Sequence, residues 1–252
     1  MWQFRLWQTG EILNLRASAD RRSAGRTIQL PAGVHMLNIE NARRQMIEQQ
    51  VRAWEVLDPV VLEVLQRVPR EQFVDAAERD LAFADMFLPI GQGECMLTPK
   101  LEGRILQAMS VGPDDRVLEV GTGSGFFAAC LAALGRSVRS LELHAALADA
   151  ASSRLQQLGF ANVDVEHADA MAFGGESGYD VIVLTGSLPV YDRRFERGLT
   201  VGGRLFAVVG PGPIMQARRI TRVGAAEWLT EDLFETSIPA LRHAPLPPRF
   251  VF

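Results

Sequence analysis

Arg116-Val-Leu-Glu-Val-Gly-Thr-Gly-Ser-Gly125 is the stretch from which the fold can be read. A short apolar strand runs straight into a loop holding Gly121, Gly123 and Gly125, and the apolar run Phe126 to Leu134 behind it reads as a helix. A strand that ends in glycines and then a helix aims backbone N–H groups and the positive end of the helix dipole at one place, where a polar or anionic ligand group is held. Gly121 and Gly123 stand where a side chain would block the turn or the approach of that ligand.

Working downstream, the alternation continues. Ser137 to Leu143 reads as a second strand, Ala145 to Leu158 as a helix and Val163 to His167 as a third strand. Tyr179 to Thr185 and Arg204 to Val209 read as the fourth and fifth strands, with a helix expected near Val190 to Leu199. Late strands are expected at Ile220 to Val223, Glu227 to Thr230 and Leu233 to Ser237, in part antiparallel. Strands separated by helices of this length imply an α/β sandwich, a mostly parallel sheet with helices on both faces.

Upstream, Ile39, Ala42, Met46, Ile47 and Val51 fall near helical spacing and predict a helix from Ile39 to Val56. Asp58-Pro59 supplies an N-cap and a first-turn proline for a second helix with Val60, Val61, Val64 and Leu65 as its apolar face, stopped by Pro69. A third short helix is expected over Arg70 to Ala77 and a fourth over Pro99 to Met109, with the turn-rich segment Leu88 to Pro99 between them. These helices have no strand partners and should cap one end of the sheet. Residues 36–110 are therefore read as a cap with a loop over the core, and 111–252 as the ligand-binding α/β core. Residues 1–35 carry five arginines against Glu11 and Asp20 without periodicity. They read as a poorly ordered extension or as a mis-called start with Met36 first.

Composition excludes several classes. The chain has 252 residues, 48% hydrophobic, and 26 basic against 30 acidic side chains give a net charge of −4, too apolar for a disordered chain and too balanced for a polyanion binder. No apolar run reaches the roughly 18 residues of a membrane span. Cys95 and Cys130 make neither a disulfide framework nor a zinc site, and four scattered histidines show no metal spacing, so no metal and a reducing compartment are expected.

The loop itself excludes more. A dinucleotide fingerprint needs a glycine where Phe126 stands, a phosphate-binding P-loop needs Gly-Lys-Ser/Thr, and the serine-hydrolase elbow fails at Thr122 and Phe126. Val117-Leu-Glu-Val-Gly-Thr-Gly-Ser-Gly125 instead resembles the first motif of class I S-adenosylmethionine-dependent methyltransferases. The resemblance implies a Rossmann-like sandwich and S-adenosyl-L-methionine as cofactor, held by Glu119, Gly121, Thr122, Gly123, Ser124 and Gly125. Glu142 ends the second strand, where a carboxylate can accept bonds from the ribose hydroxyls. Asp169, after the third strand, stands where the family often has an acid beside the adenine amino group.

Ile90-Gly-Gln-Gly-Glu-Cys-Met-Leu-Thr-Pro99 narrows the resemblance, being similar to the Ile-Gly-x-Gly-Gln-Thr-Ile-Ser-x-Pro motif of protein-L-isoaspartate O-methyltransferases. Met46-Ile-Glu-Gln-Gln-Val-Arg52, Val68-Pro-Arg-Glu-Gln-Phe-Val74, Leu158-Gly-Phe-Ala-Asn-Val163, Tyr179-Asp-Val-Ile-Val183 and Gly202-Gly-Arg-Leu205 agree with that family in order. The resemblance implies methylation of the isoaspartyl α-carboxylate of damaged proteins in the cytoplasm, with a protein or peptide substrate and neither nucleic acid nor membrane as partner.

One departure bears on the acceptor. Cys95 and Leu97 replace the family's threonine and serine, Glu94 replaces its glutamine, and Ala168 and Ala170 replace glycines around Asp169. The acceptor positions are accordingly Cys95, Leu97 and Thr98. Leucine donates no hydrogen bond, so a lost orienting hydroxyl costs about 1–3 kcal/mol if its partner stays unpaired. Three readings remain open: an isoaspartyl methyltransferase, a methyltransferase of the same fold with another acceptor, and a catalytically silent cofactor-binding protein.

Overall fold

The computed structural model describes residues 32–174 and 176–248. The described residues open on α1 (Ala32–Met46), which widens into a π turn (Ile47–Val51), tightens to a 3-10 turn (Arg52–Trp54) and stops at Glu55, whose φ of 63° ends the helix. Residues 1–31 of the expected extension lie outside the described residues, and α1 begins at Ala32, ahead of the expected Ile39. Asp58 caps α2 (Pro59–Arg67) as its sequence predicts, its carboxylate accepting from the Val60 N–H at 2.8 Å. Val61, Val64 and Leu65 are buried, whereas Val60 at the first turn faces solvent. The third expected helix is only a 3-10 turn, Arg70–Gln72, closed by the Phe73 N–H on the Arg70 carbonyl at 3.0 Å, with the Arg70 side chain drawn inward onto the Ala82 and Leu97 carbonyls.

A hairpin of β1 (Leu88–Gly91) and β2 (Glu94–Met96) precedes α3 (Pro99–Met109). The core then follows the predicted alternation: β3 (Arg116–Val120), α4 (Phe126–Leu134), β4 (Ser137–Glu142), α5 (Ala145–Gln157), β5 (Val163–His167), β6 (Tyr179–Leu188) and β7 (Leu199–Val209). β8 (Met215–Gly224) and β9 (Glu227–Thr236) complete a sheet ordered β5-β4-β3-β6-β7-β8-β9, parallel from β5 through β7 and antiparallel beyond. β9 is one strand where two were expected. Asp232 and Glu231 interrupt its apolar pattern only because they reach across to Arg218 and Arg219 of β8, at 2.8 and 2.9 Å.

The two faces of the sheet differ. Val117, Val181, Val183, Phe206 and Val208 share one face with α3, α4 and the cap in a continuous apolar core. Leu118, Val120, Ile182, Leu184 and Leu205 form the other, covered among the described residues by loops and 3-10 turns and by no α-helix. The helix expected over Val190 to Leu199 is reduced to Glu196–Gly198. Asp192 takes the Arg194 N–H at 3.0 Å in a local turn, Val190 is left exposed, and Phe195, stacked on Phe173, and Leu199 are the segment's fully buried apolar anchors.

The strand order reverses between β3 and β6, so a crevice opens beyond their carboxyl ends, where open α/β sheets bind ligands.

Candidate active site

The glycine loop leaves β3 by passing the Gly121 N–H to the Leu141 carbonyl at 2.8 Å, which ties it to β4. Gly121, Gly123 and Gly125 all take positive φ (93°, 54° and 90°), a backbone that side-chain-bearing residues rarely adopt. Their reasons differ. A Cβ on Gly121 would fall 2.3 Å from Thr185 Oγ1, and one on Gly123 would meet Ile90 of the hairpin at 3.0 Å. A Cβ on Gly125 would press on Ala151 of α5 at 3.2 Å, so the missing side chain here lets α5 pack closely.

A crevice of about 730 Å³, counted with the solvent at its mouth, lies against this loop. Of the positions expected from sequence, Cys95, Leu97, Gly121, Gly123, Glu142 and Asp169 line it. Glu142 is buried, its two oxygens accepting from the Gly123 N–H at 2.8 Å and the His144 N–H at 2.9 Å. Each oxygen keeps a lone pair for a further donor. Asp169 accepts from the Met171 N–H at 2.8 Å and pairs with His243 Nδ1 at 2.8 Å. Partial burial raises its pKa, but the His243 and Met171 hydrogen bonds outweigh this and hold the carboxyl below its usual range.

The remaining expected residues stand behind the wall and do not line the crevice. Ser124 accepts the Phe126 N–H at 3.3 Å at the start of α4, and Thr98 accepts two N–H bonds on its carbonyl before α3. Thr122 and Glu119 meet at Ser140, whose hydroxyl bridges them under the loop. Side chains alternate along a strand, and Glu119 shares the face of Val117, which packs with the helical layer, so it does not reach the crevice wall.

Glu119 is fully buried with one carboxylate oxygen unpaired. Burial pushes its pKa up to about 8, opposed by the Ser140 hydrogen bond and reinforced by Glu142 and Glu102. The folded chain therefore keeps a proton that the unfolded chain releases at 4.5, and this contribution is full below 4.5 and lost as pH climbs to about 8. Glu119→Gln should flatten that decline, which in the wild type approaches ~1.4 kcal/mol per pH unit at its steepest. Urea-unfolding midpoints between pH 5 and 8.5 measure it; parallel pH profiles for the two proteins would refute the assignment.

Cys95 lies on the crevice wall, but burial and then the Glu94 carboxylate push its thiol up, which keeps it protonated and a poor nucleophile. Leu97 is buried, and its carbonyl accepts Arg70 Nη2 at 2.6 Å.

Sequence reasoning passed over the last part of the crevice. The segment after β9 runs back beside β6: Ser187 N–H donates to Pro239, and Leu241 N–H donates to Ser187, both at 2.9 Å. This places Leu241 over Gly186, Arg242 on Glu94 (Nε to Oε1, 2.7 Å) and His243 on Asp169. His144 of the β4–α5 turn lies 3.3 Å from the same Glu94 oxygen. Among the described residues no cluster of three metal-ligating side chains occurs.

Comparisons with known proteins agree with this geometry. The family profile described as protein-L-isoaspartate(D-aspartate) O-methyltransferase matches residues 41–238. A Pelobacter propionicus protein named protein-L-isoaspartate O-methyltransferase 2 is 38% identical over 198 residues, covering 78% of this chain and 88% of that protein. A Rhodopseudomonas palustris protein-L-isoaspartate O-methyltransferase is 37% identical over 190 residues, 75% of this chain and 87% of the relative. A Plasmodium falciparum chain crystallised with S-adenosyl-L-homocysteine superposes with a TM-score of 0.69 at 16% identity, covering 81% of this chain and 98% of that one, a likeness of fold. A matched region running from the first helix past the last strand, joined to a glycine loop flanked by two crevice carboxylates, makes this chain a member of the protein-L-isoaspartate O-methyltransferase family.

Proposed function

We propose that this protein transfers the methyl group of S-adenosyl-L-methionine to the free α-carboxylate of isoaspartyl residues in damaged cytoplasmic proteins. The observation that carries the reading is the crevice itself. Two positive-φ glycines leave room for a ligand where a Cβ would fill it, and Glu142 and Asp169 wait at the ends of β4 and β5. The residues fit the cofactor: Gly121 and Gly123 give backbone clearance for its amino-acid end, Glu142 retains acceptor capacity for the ribose hydroxyls, and Asp169 stands at the far side for the base. No helix among the described residues is long and apolar enough to cross a membrane.

Bound there, S-adenosyl-L-methionine supplies an electrophilic methyl group on a sulfonium. A carboxylate acceptor is already deprotonated at neutral pH, so the chain needs no general base. Its work is alignment and exclusion of water. The β1–β2 hairpin supports the acceptor side, and the apolar side chains of Ile90, Leu97 and Leu241 line the space into which water would otherwise enter.

The test is transfer of labelled methyl to an isoaspartyl peptide and to its aspartyl twin. A base-labile ester on the isoaspartyl peptide alone is the expected result. Cofactor binding by calorimetry without any ester would overturn the acceptor and leave a same-fold methyltransferase of another substrate or a silent binder. Absence of cofactor binding would overturn the enzyme reading itself.

A further inference from the structure

The crevice is acidic where its guest is an anion. Glu94, Glu142 and Asp169 line it, and Arg242 is the one arginine or lysine among its described lining residues. A carboxylate entering this space meets three like charges unless a cation receives it. The family's orienting serine is here Leu97, which offers no donor. Arg242 lies beyond the family-matched residues 41–238, and it is held by Glu94, the residue that replaces the family's glutamine. Only its Nε is engaged among the described residues. Nη2 lies near Gly93, where a Cβ would approach it to 3.5 Å, and the side chain remains 54% exposed.

We propose that Arg242 receives the methyl-accepting carboxylate on the free edge of its guanidinium, with Glu94 as the positioning residue that orients the fork. The proposal rests on the isoaspartyl reading above and adds the residue that selects the acceptor. Two parallel N–H donors match a carboxylate in plane, and the pairing supplies from the C-terminal segment the orientation that position 97 no longer provides. Glu94 occupies Nε and so turns the Nη edge outward. His144 Nε2, 3.3 Å from the same oxygen, further holds Glu94 in place.

The experiment uses the full chain, an isoaspartyl peptide and the same peptide with its α-carboxylate converted to the carboxamide. With S-adenosyl-L-homocysteine present, the wild type should bind the carboxylate about 10- to 100-fold more tightly than the carboxamide, the usual worth of a charged hydrogen-bonded contact. Arg242→Gln should abolish that preference and raise KM for methylation by a similar factor, with kcat and cofactor affinity changed less than about twofold. Arg242→Lys, which keeps the charge and loses the fork, should fall between them. An unchanged preference and KM in Arg242→Gln would overturn the proposal, as would a loss confined to cofactor affinity, which marks a latch and not an acceptor site. A wild type that methylates no isoaspartyl peptide would instead overturn the function on which the proposal rests.

Discussion

Gly121→Ala should slow methyl transfer by about 100-fold and weaken cofactor binding while leaving the chain folded. The new Cβ would stand 2.3 Å from Thr185 Oγ1, closer than any real contact, at a φ of 93° that alanine tolerates poorly. Thr185 cannot simply swing away, because its hydroxyl is fixed on the carbonyls of Val120 and Gly121 at 2.9 and 2.8 Å. The loop must move instead, and it carries with it the Gly121 bond to Leu141 and the Gly123 bond to Glu142. A displacement of about 1 Å at such a site costs on the order of a hundredfold in rate. Gly159→Ala is the control: its φ of 84° imposes comparable strain, but a Cβ there meets nothing within 4 Å and the residue does not line the crevice. It should cost about 1 kcal/mol of stability and leave calorimetric cofactor affinity unchanged. Equal affinities for Gly121→Ala and the wild type would remove the loop from the site.

What could be read without coordinates follows from where the information is local. The strand at Arg116, the glycine turn and the helix at Phe126 are consecutive in sequence, so period and glycine spacing placed them within a residue. The same holds for α3, whose proline and apolar stripe bracket Pro99–Met109. Glu142 and Asp169 were also legible, because strand ends locate them relative to the loop. The place of Glu119 behind the crevice wall was not: strand alternation turns it to the Val117 face, and only the sheet's packing reveals that the helical layer covers that face.

Other failures share a non-local cause. Tyr191, Phe195 and Leu199 fall at helical spacing, yet an Asp192 turn and the packing of Phe195 on Phe173 decide the segment. Arg242 and His243 sit in a proline-rich tail with no period to read, and they reach the crevice only because the segment returns beside β6. The sequence singles out their partners Glu94 and Asp169 only one at a time. The pairing of each with the tail lies 148 and 74 residues away in sequence, beyond any local pattern.

Arg70 shows how far such long-range joins support the site, and Arg70→Leu should destabilise the fold by about 3–5 kcal/mol. Its side chain is fully buried, with Nε on the Ala82 carbonyl at 2.7 Å, Nη2 on the Leu97 carbonyl at 2.6 Å and Nη1 on the Glu102 carboxylate. The guanidinium also covers the Phe126 ring at 4.7 Å, so one residue ties cap, acceptor hairpin, α3 and the start of α4 together. Leucine fills part of the space but leaves two carbonyls and a buried carboxylate unpaired. Burial already pushes Glu102 up to about 7 against the pull of Arg70, and losing that cation drives it higher. The variant then keeps Glu102 protonated in the folded state over a wider range, so its penalty relative to the wild type must grow as pH rises from 5 to 8. Adding Glu102→Leu should remove the pH-dependent part and recover some of the loss, since an apolar pair is tolerated where a lone charge is not. Denaturant midpoints of the three proteins at pH 5 and pH 8 measure both effects. A penalty for Arg70→Leu that is equal at the two pH values would show that the carboxylate is not what the arginine neutralises.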